Sequence, residues 1–147
     1  MSEIPLHSVS VAGIVFNDSG EVLVIKRRDN GHWEPPGGVL ELAETVQQGV
    51  QREILEETGI TVDVGPLTGV YKNMQRGVVA LVFQCTAIAG TIRPTDESAA
   101  VEWMEPGAAM RKMEPAFAIR VNDALHPNNQ VIPRAHDGVK LLGKRYT

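Results

Sequence analysis

The sequence predicts an α+β fold, with helices packed on a mixed β-sheet. Three observations predict it. Short runs rich in Val and Ile, such as SVSVAGIVF and GVVALVFQCTAI, recur between turn clusters and read as strands. A strongly periodic segment ending at Gly59 reads as an amphipathic helix between them. A second helical pattern, EPAFAIRVNDAL, follows the last strand-like run. The 147 residues fit one domain over 1–147, with its core at about 8–125 and a C-terminal tail over 126–147.

Taken in order, Ser8 to Phe16 reads as a buried strand, Asn17-Asp18-Ser19-Gly20 as a turn, and Glu21 to Lys26 as a second strand, so the two form a hairpin. Arg27 to Gly31 (RRDNG) reads as a polar loop. Trp33 to Gly38 (WEPPGG) is excluded from helix and central strand, because Pro35 and Pro36 lack N–H donors and Gly37-Gly38 are conformationally free. The first helix is expected from about Ala43 to Thr58, with Val46, Val50 and Ile54 as its buried stripe and Glu44 in its first turn. Ile60 to Val64 reads as a short strand ended by Gly65-Pro66, and Leu67 to Lys72 as another. Gly77 to Ile88 is the most strand-like run. Gly90 to Glu97 reads as a polar loop and Ala99 to Met104 as the last strand. Glu114 to Leu125 reads as a helix, with Phe117, Val121 and Leu125 on one face and Pro115 in the first turn. From His126 onward, Pro127, Asn128-Asn129 and Pro133 predict an irregular tail. No internal repeat, low-complexity tract or domain linker interrupts the chain.

Composition narrows the function classes. Hydrophobic residues at 43% and charged residues at 22% are those of a soluble globular protein. A net charge of -4 argues against an extended surface for a nucleic-acid polymer. Cys85 is the single cysteine, so no intrachain disulfide is expected, and its apolar setting marks it as an inert core residue. The N-terminus does not read as a signal peptide, and the apolar run Val78 to Ala89 is too short to span a bilayer. No membrane association and a cytoplasmic location are expected.

The chemistry is concentrated at the end of the first helix. Arg52, Glu53, Glu56 and Glu57 fall close together, just before Gly59. A helix C-terminus carries partial negative charge, and like charges at i,i+3 and i,i+4 repel, so stability alone would disfavour this cluster. A bound cation relieves it, and hard oxygen ligands suit Mg²⁺ or Mn²⁺. On a helical wheel of about 100° per residue, the three glutamates share one side and border the apolar stripe.

The run GVLELAETVQQGVQREILEETGI, Gly38 to Ile60, resembles the Nudix box at every position: Gly38, Glu44, Arg52-Glu53, Ile54, Glu56-Glu57, Gly59 and Ile60. So many restricted positions at set spacing make a chance match improbable. The resemblance implies an α/β/α sandwich and hydrolysis of a pyrophosphate bond in a nucleoside diphosphate derivative. It is specific over about Trp33 to Ile60 and loose over about Ser8 to Leu125.

The same resemblance implies roles for particular residues. Glu53, Glu56 and Glu57 match the metal-binding glutamates, with Glu57 and Glu53 the surest ligands and Glu53 also a candidate general base. Arg52 would orient the carboxylates by bidentate pairing. Gly37 and Gly38 let the loop backbone approach closely, and the Gly37 carbonyl is a candidate metal ligand. Glu44 is expected to stabilise the loop–helix junction. Outside the box, Glu97 is expected to supply a further metal-binding or base carboxylate, ahead of its neighbour Asp96 and of Glu102. Arg27, at the end of the second strand, resembles an arginine that contacts substrate phosphate. Trp33 either supports the loop or stacks on a base, while Tyr71, Phe83 and Trp103 read as packing residues. The four histidines have no metal-ligand spacing.

Substrate identity is less legible, because specificity lies in loops outside the box. The proline often found past the box in ADP-ribose enzymes is replaced here by Arg76. Tyr71 lies too early for the tyrosine of dinucleoside polyphosphate enzymes. The NADH-type and coenzyme A-type marks are absent. This favours a MutT-like enzyme acting on a (deoxy)nucleoside triphosphate, with an ADP-ribose or nucleotide-sugar pyrophosphatase as the alternative. A non-catalytic nucleotide-sensing module is the alternative of another class. Such modules usually lose a box glutamate, and this chain keeps all three. Many relatives are homodimers, which makes a second copy of the chain a candidate partner besides the nucleotide, but no feature of the sequence decides it.

Overall fold

The computed structural model describes residues 3–127 and 130–143. Strand β1 (Ser8–Phe16) and strand β2 (Val22–Arg27) pair antiparallel around the Asn17–Gly20 turn, as the hairpin reading requires. The turn is closed by Asn17, whose side-chain oxygen accepts from the backbone N–H groups of Ser19 and Glu21. Two short strands flank the prolines: β3 (Trp33–Glu34) adds to the edge of β2, and β4 (Gly37–Val39) pairs with β1. Trp33 to Gly38, excluded from helix and central strand by its sequence, forms no helix; β3 lies at the sheet edge, and the three-residue β4 adds a short pairing to β1. Pro35 and Pro36 lack only donors, the Pro36 carbonyl accepting from Gly13 N, and the residues on either side keep theirs.

Helix α1 (Val46–Thr58) begins later than its expected start at Ala43. Thr45 is the N-cap: its hydroxyl accepts from Gln48 N, and the Gln48 side chain accepts from Thr45 N, a complete capping box. Glu44 accordingly lies before the helix and not in its first turn. Gly59 ends α1 at φ 83°, the left-handed conformation that glycine adopts without strain, and its N–H donates to the Leu55 carbonyl.

Strand β5 (Ile60–Asn73) is one element where two were expected. Its register against β6 (Val78–Gly90) shifts between Val64 and Leu67, so Gly65-Pro66 forms an irregularity within a strand and not a turn between strands. Strand β7 (Ser98–Met104) pairs with β2. Helix α2 (Pro106–Lys112) was not expected from the sequence. It is short, contains Gly107, and is started by Glu105, whose carboxylate accepts from Ala108 N. Helix α3 (Pro115–Leu125) matches the expected second helix. The tail is not wholly irregular: β8 (Pro133–His136) runs parallel to β5. Asn128 and Asn129 lie outside the described residues.

The sheet order is β3-β2-β1-β6-β5-β8, with β4 and β7 attached to β1 and β2. The β1–β6 and β5–β8 pairs are parallel and the others antiparallel, so the sheet is mixed as expected. Residues alternate between two cores. Val11, Val15, Leu23 and Ile25 face Val50 and Ile54 of α1. Ala12, Ile14, Val22 and Val24 face Ala109 of α2 and Val121 and Ala124 of α3. Helices thus cover both faces of the sheet, an α/β/α arrangement, which explains why β1 and β2 are apolar on both sides. Val50 and Ile54 are fully buried, each contributing about 1.5–3 kcal/mol by the usual scale. Cys85 is buried in the first core, which pushes its thiol up to about 12. Among the described residues, no helix is long and apolar enough to cross a membrane.

Candidate active site

Arg52 is the hub of the helix end. Its Nε and Nη2 donate to the two Glu44 carboxylate oxygens at 2.8 and 2.6 Å, a bidentate pair that ties α1 to the preceding loop. Its Nη1 donates to Glu53 Oε1 at 2.9 Å and Glu56 Oε2 at 3.2 Å, and Nη2 also reaches the Val39 carbonyl. Arg52 holds the Glu44 carboxyl well below its ordinary value, at about 2. The junction role expected of Glu44 and the orienting role expected of Arg52 therefore share one guanidinium.

The three box glutamates occupy three environments. Glu57 is buried, and its Oε1 accepts from the Gly37 N–H at 2.7 Å. Burial pushes its carboxyl up to about 8, and Glu53, Glu97 and Glu34 push it in the same direction against the Gly37 hydrogen bond. Glu53 is half-buried and also raised by burial, with Arg52 opposing and Glu56 and Glu97 adding to the rise. Glu56 has a 61% exposed side chain and turns outward to Arg52.

Gly37 and Gly38 sit on β4 opposite Ala12 and Val11. A side chain on Gly37 would collide with the Val11 carbonyl and Ala12, and one on Gly38 with the Glu53 carboxylate. The first approach requires glycine, whereas the second sets the place of a flexible carboxylate.

A cleft of about 480 Å³ is lined by Ile25, Arg27, Arg28, Asp29, Glu57, Asp96 and Glu97. Arg27, Glu57 and Glu97, drawn from β2, α1 and the loop before β7, are thus brought together, with Glu53 close enough to feel Glu97. Arg27 donates through Nε and Nη2 to both Asp29 oxygens, at 2.9 and 2.8 Å, and lies 3.6 Å from Glu34. Glu56 does not line this cleft, and Glu102 is exposed on β7. Trp33 packs against the second core with Lys26 and Lys112 about its ring. A second depression of about 370 Å³, around Ile60, Ile88 and Trp103, is lined by no titratable side chain.

Sequence reasoning missed Glu34, Arg28 and Asp29. Glu34 is largely buried on β3, and burial raises its carboxyl while Arg27 and Arg120 oppose. The available signal was a lone carboxylate inside a stretch otherwise made of Trp, Pro and Gly.

Among the described residues, no three His, Cys, Asp or Glu side chains are gathered closely enough to hold a metal ion as they stand. Arg52 draws Glu53 and Glu56 to itself, and the Gly37 N–H holds Glu57. The donor set nonetheless fits a hard divalent cation. It is all oxygen, and its carboxylates raise one another's affinity for protons, a repulsion that a cation relieves.

The NUDIX domain family model matches residues 6–125. The chain belongs to the Nudix family, and it is a pyrophosphohydrolase of that family. A MutT-like protein from Streptomyces ambofaciens is 54% identical over 94% of this chain and 89% of its own length. An ADP-ribose pyrophosphatase from Methanocaldococcus jannaschii is 38% identical over 68% of this chain and 63% of its own. A putative 8-oxo-dGTP diphosphatase from Bacillus subtilis is 32% identical over 75% and 74%, respectively.

Proposed function

We propose that this chain hydrolyses, with Mg²⁺ or Mn²⁺, a pyrophosphate bond in a (deoxy)nucleoside triphosphate, releasing a monophosphate and pyrophosphate. The observation that carries the reading is the convergence of Arg27, Glu57 and Glu97 on one cleft, with Glu53 beside it. Glu53, Glu57 and the Gly37 carbonyl would hold the cation, with Glu56 adding negative charge from the rim. Bound there, it would supply charge neutralisation and alignment for the phosphate oxygens.

The chain's own groups supply the rest. Arg27 offers a two-pronged fork, occupied by Asp29 in this structure, that suits a phosphate equally well. Attack by water forms one phosphorus–oxygen bond, breaks the bridging one, and requires a base for the water's proton. Glu53 is engaged by Arg52, whereas Glu97 is exposed at the cleft. We assign the base to Glu97. Arg52 opposes the burial-driven rise at Glu53 and aims its carboxylate.

The name of the B. subtilis relative supports a triphosphate, oxidised or not. The M. jannaschii relative supports the second reading, an ADP-ribose or nucleotide-sugar pyrophosphatase. A hydrolysis screen with Mg²⁺ over dGTP, 8-oxo-dGTP, ADP-ribose and nucleotide sugars, with products separated by chromatography, decides between them. Monophosphate and pyrophosphate from a triphosphate support the first reading. Turnover of ADP-ribose or a nucleotide sugar alone supports the second. Binding without turnover across the panel overturns both in favour of a nucleotide sensor.

A further inference from the structure

We infer that Arg28 is a positioning residue that clamps the loop before β7 and so carries Glu97 to the cleft. This rests on the role given to Glu97 above. One residue engages four consecutive carbonyls. The Arg28 side chain donates from Nη2 to the Thr95 and Ser98 carbonyls, at 3.0 and 3.1 Å, and from Nε to the Asp96 carbonyl at 3.0 Å. Its backbone N–H donates to the Glu97 carbonyl at 3.1 Å. On the other side of the loop, Thr95 Oγ1 accepts from the N–H groups of Glu97 and Ser98. Carbonyls held by Arg28 and amides held by Thr95 leave this turn one conformation.

The strand register adds a second reason. Lys26 pairs with Ala100 but Arg27 pairs with Ser98, so Ala99 is the extra residue of a bulge. A bulge bends the strand and re-aims the side chains beside it. Here it stands between the regular part of β7 and Glu97, and every Arg28 hydrogen bond falls on the Glu97 side of it. Glu97, so placed, is near enough for its charge to act on both Glu53 and Glu57.

Arg28 also lines the cleft, so direct contact with substrate phosphate is the competing role. The donor geometry opposes it, because Nε and Nη2 are already directed at loop carbonyls. A lysine in its place keeps the charge but lacks the planar fork and reaches fewer of these acceptors.

The test combines amide hydrogen exchange with a double-mutant cycle, using dGTP and ADP-ribose with Mg²⁺. In Arg28→Ala the amides of Glu97 and Ser98 should exchange faster than in the parent. The kcat should fall by about 10- to 100-fold, the cost of misplacing a reacting group by about 1 Å. KM should change little. Arg28→Lys should not restore the rate. The loss should vanish in a Glu97→Gln background, because both changes then remove the same contribution. Unchanged exchange at 95–98 overturns the clamp. An equal loss in the Glu97→Gln background, or a rise confined to KM and cured by lysine, overturns it in favour of phosphate contact. Full activity of Glu97→Gln alone sinks the role of Glu97, while exchange still decides whether Arg28 holds the loop. If neither nucleotide is turned over, the substrate assignment fails and the exchange result stands independently.

Discussion

The Glu53 carboxylate occupies the space that a side chain on Gly38 would need. The box glycine and the box glutamate are therefore two halves of one contact, and their separation along the chain is bridged by the β4–α1 packing. Gly38→Ala should displace the Glu53 carboxylate, which is the end of a flexible side chain and can yield. Activity should fall about 10-fold or more with little loss of stability. Gly37→Ala should behave in the opposite way. Its new methyl meets the Val11 carbonyl and Ala12 within the sheet, where nothing can move cheaply. That variant should lose about 1–3 kcal/mol of stability. Urea unfolding and steady-state kinetics on both variants check the contrast, and equal behaviour of the two would remove it.

Arg52 makes a second prediction. Its fork is filled by Glu44 while its remaining nitrogen holds Glu53 and Glu56. Arg52→Lys keeps the charge but cannot make the bidentate pair and the other two bonds together. The rate should fall about 10- to 100-fold, as when groups supporting metal ligands are lost. Glu44→Gln, which touches neither Glu53 nor the cleft, should reproduce part of that loss by loosening Arg52. Wild-type kcat in Glu44→Gln would detach the junction from the site.

Glu57 makes a third. It is buried, and the hydrogen bond it accepts from the Gly37 N–H is equally available to a glutamine carbonyl. Glu57→Gln should therefore fold. Several kcal/mol of metal-derived stabilisation, at about 1.4 kcal/mol per tenfold, put its activity loss at about a hundredfold or more. The parent protein should also gain stability from Mg²⁺ or Mn²⁺, about 2.7 kcal/mol at a hundred times Kd. Scanning calorimetry with and without metal should show a rise in Tm of several degrees for the parent and a smaller one for Glu57→Gln.

The site was legible in the sequence where it is local. Arg52, Glu53 and Glu57 lie on one helix, and helical spacing alone places Glu53 and Glu57 on one side of it and at the border of the core. That Glu56 would turn outward to Arg52 was not legible, because it depends on which partner a long side chain finds. The resemblance pointed to the loop before β7, and Glu97 of that loop lines the cleft. Arg28, its clamp, was hidden, since its partners are backbone carbonyls 67 to 70 residues away and carry no residue-type signal. Helix α2 and strand β8 escaped for a related reason. The first is a single capped segment carrying a glycine, and the second owes its existence to pairing with β5.

One part of the pH dependence of stability comes from His136, on β8. It is buried beside Arg120, and both of its ring nitrogens face N–H donors: Arg120 Nη2 at 3.4 Å and the Gly138 N–H at 3.0 Å. A protonated ring would place a hydrogen against both. Burial first, and the Arg120 charge second, lower its pKa from 6.5 to about 4. Between those values the unfolded chain binds a proton that the folded chain does not. The stabilising contribution is thus fully present above pH 6.5 and is lost as pH falls toward 4. Glu57 contributes in the opposite sense as pH rises from 4.5 toward 8, so the total curve does not isolate either group. The difference between the parent and His136→Asn does, because the other groups cancel. Urea unfolding from about pH 4 to 7 should show the parent losing stability relative to the variant as pH falls. The His136 ring resonances should stay those of the neutral form through pH 6.5 and reach their midpoint only near pH 4. A ring that titrates near 6.5 would show that Arg120 and the surrounding burial do not act on it.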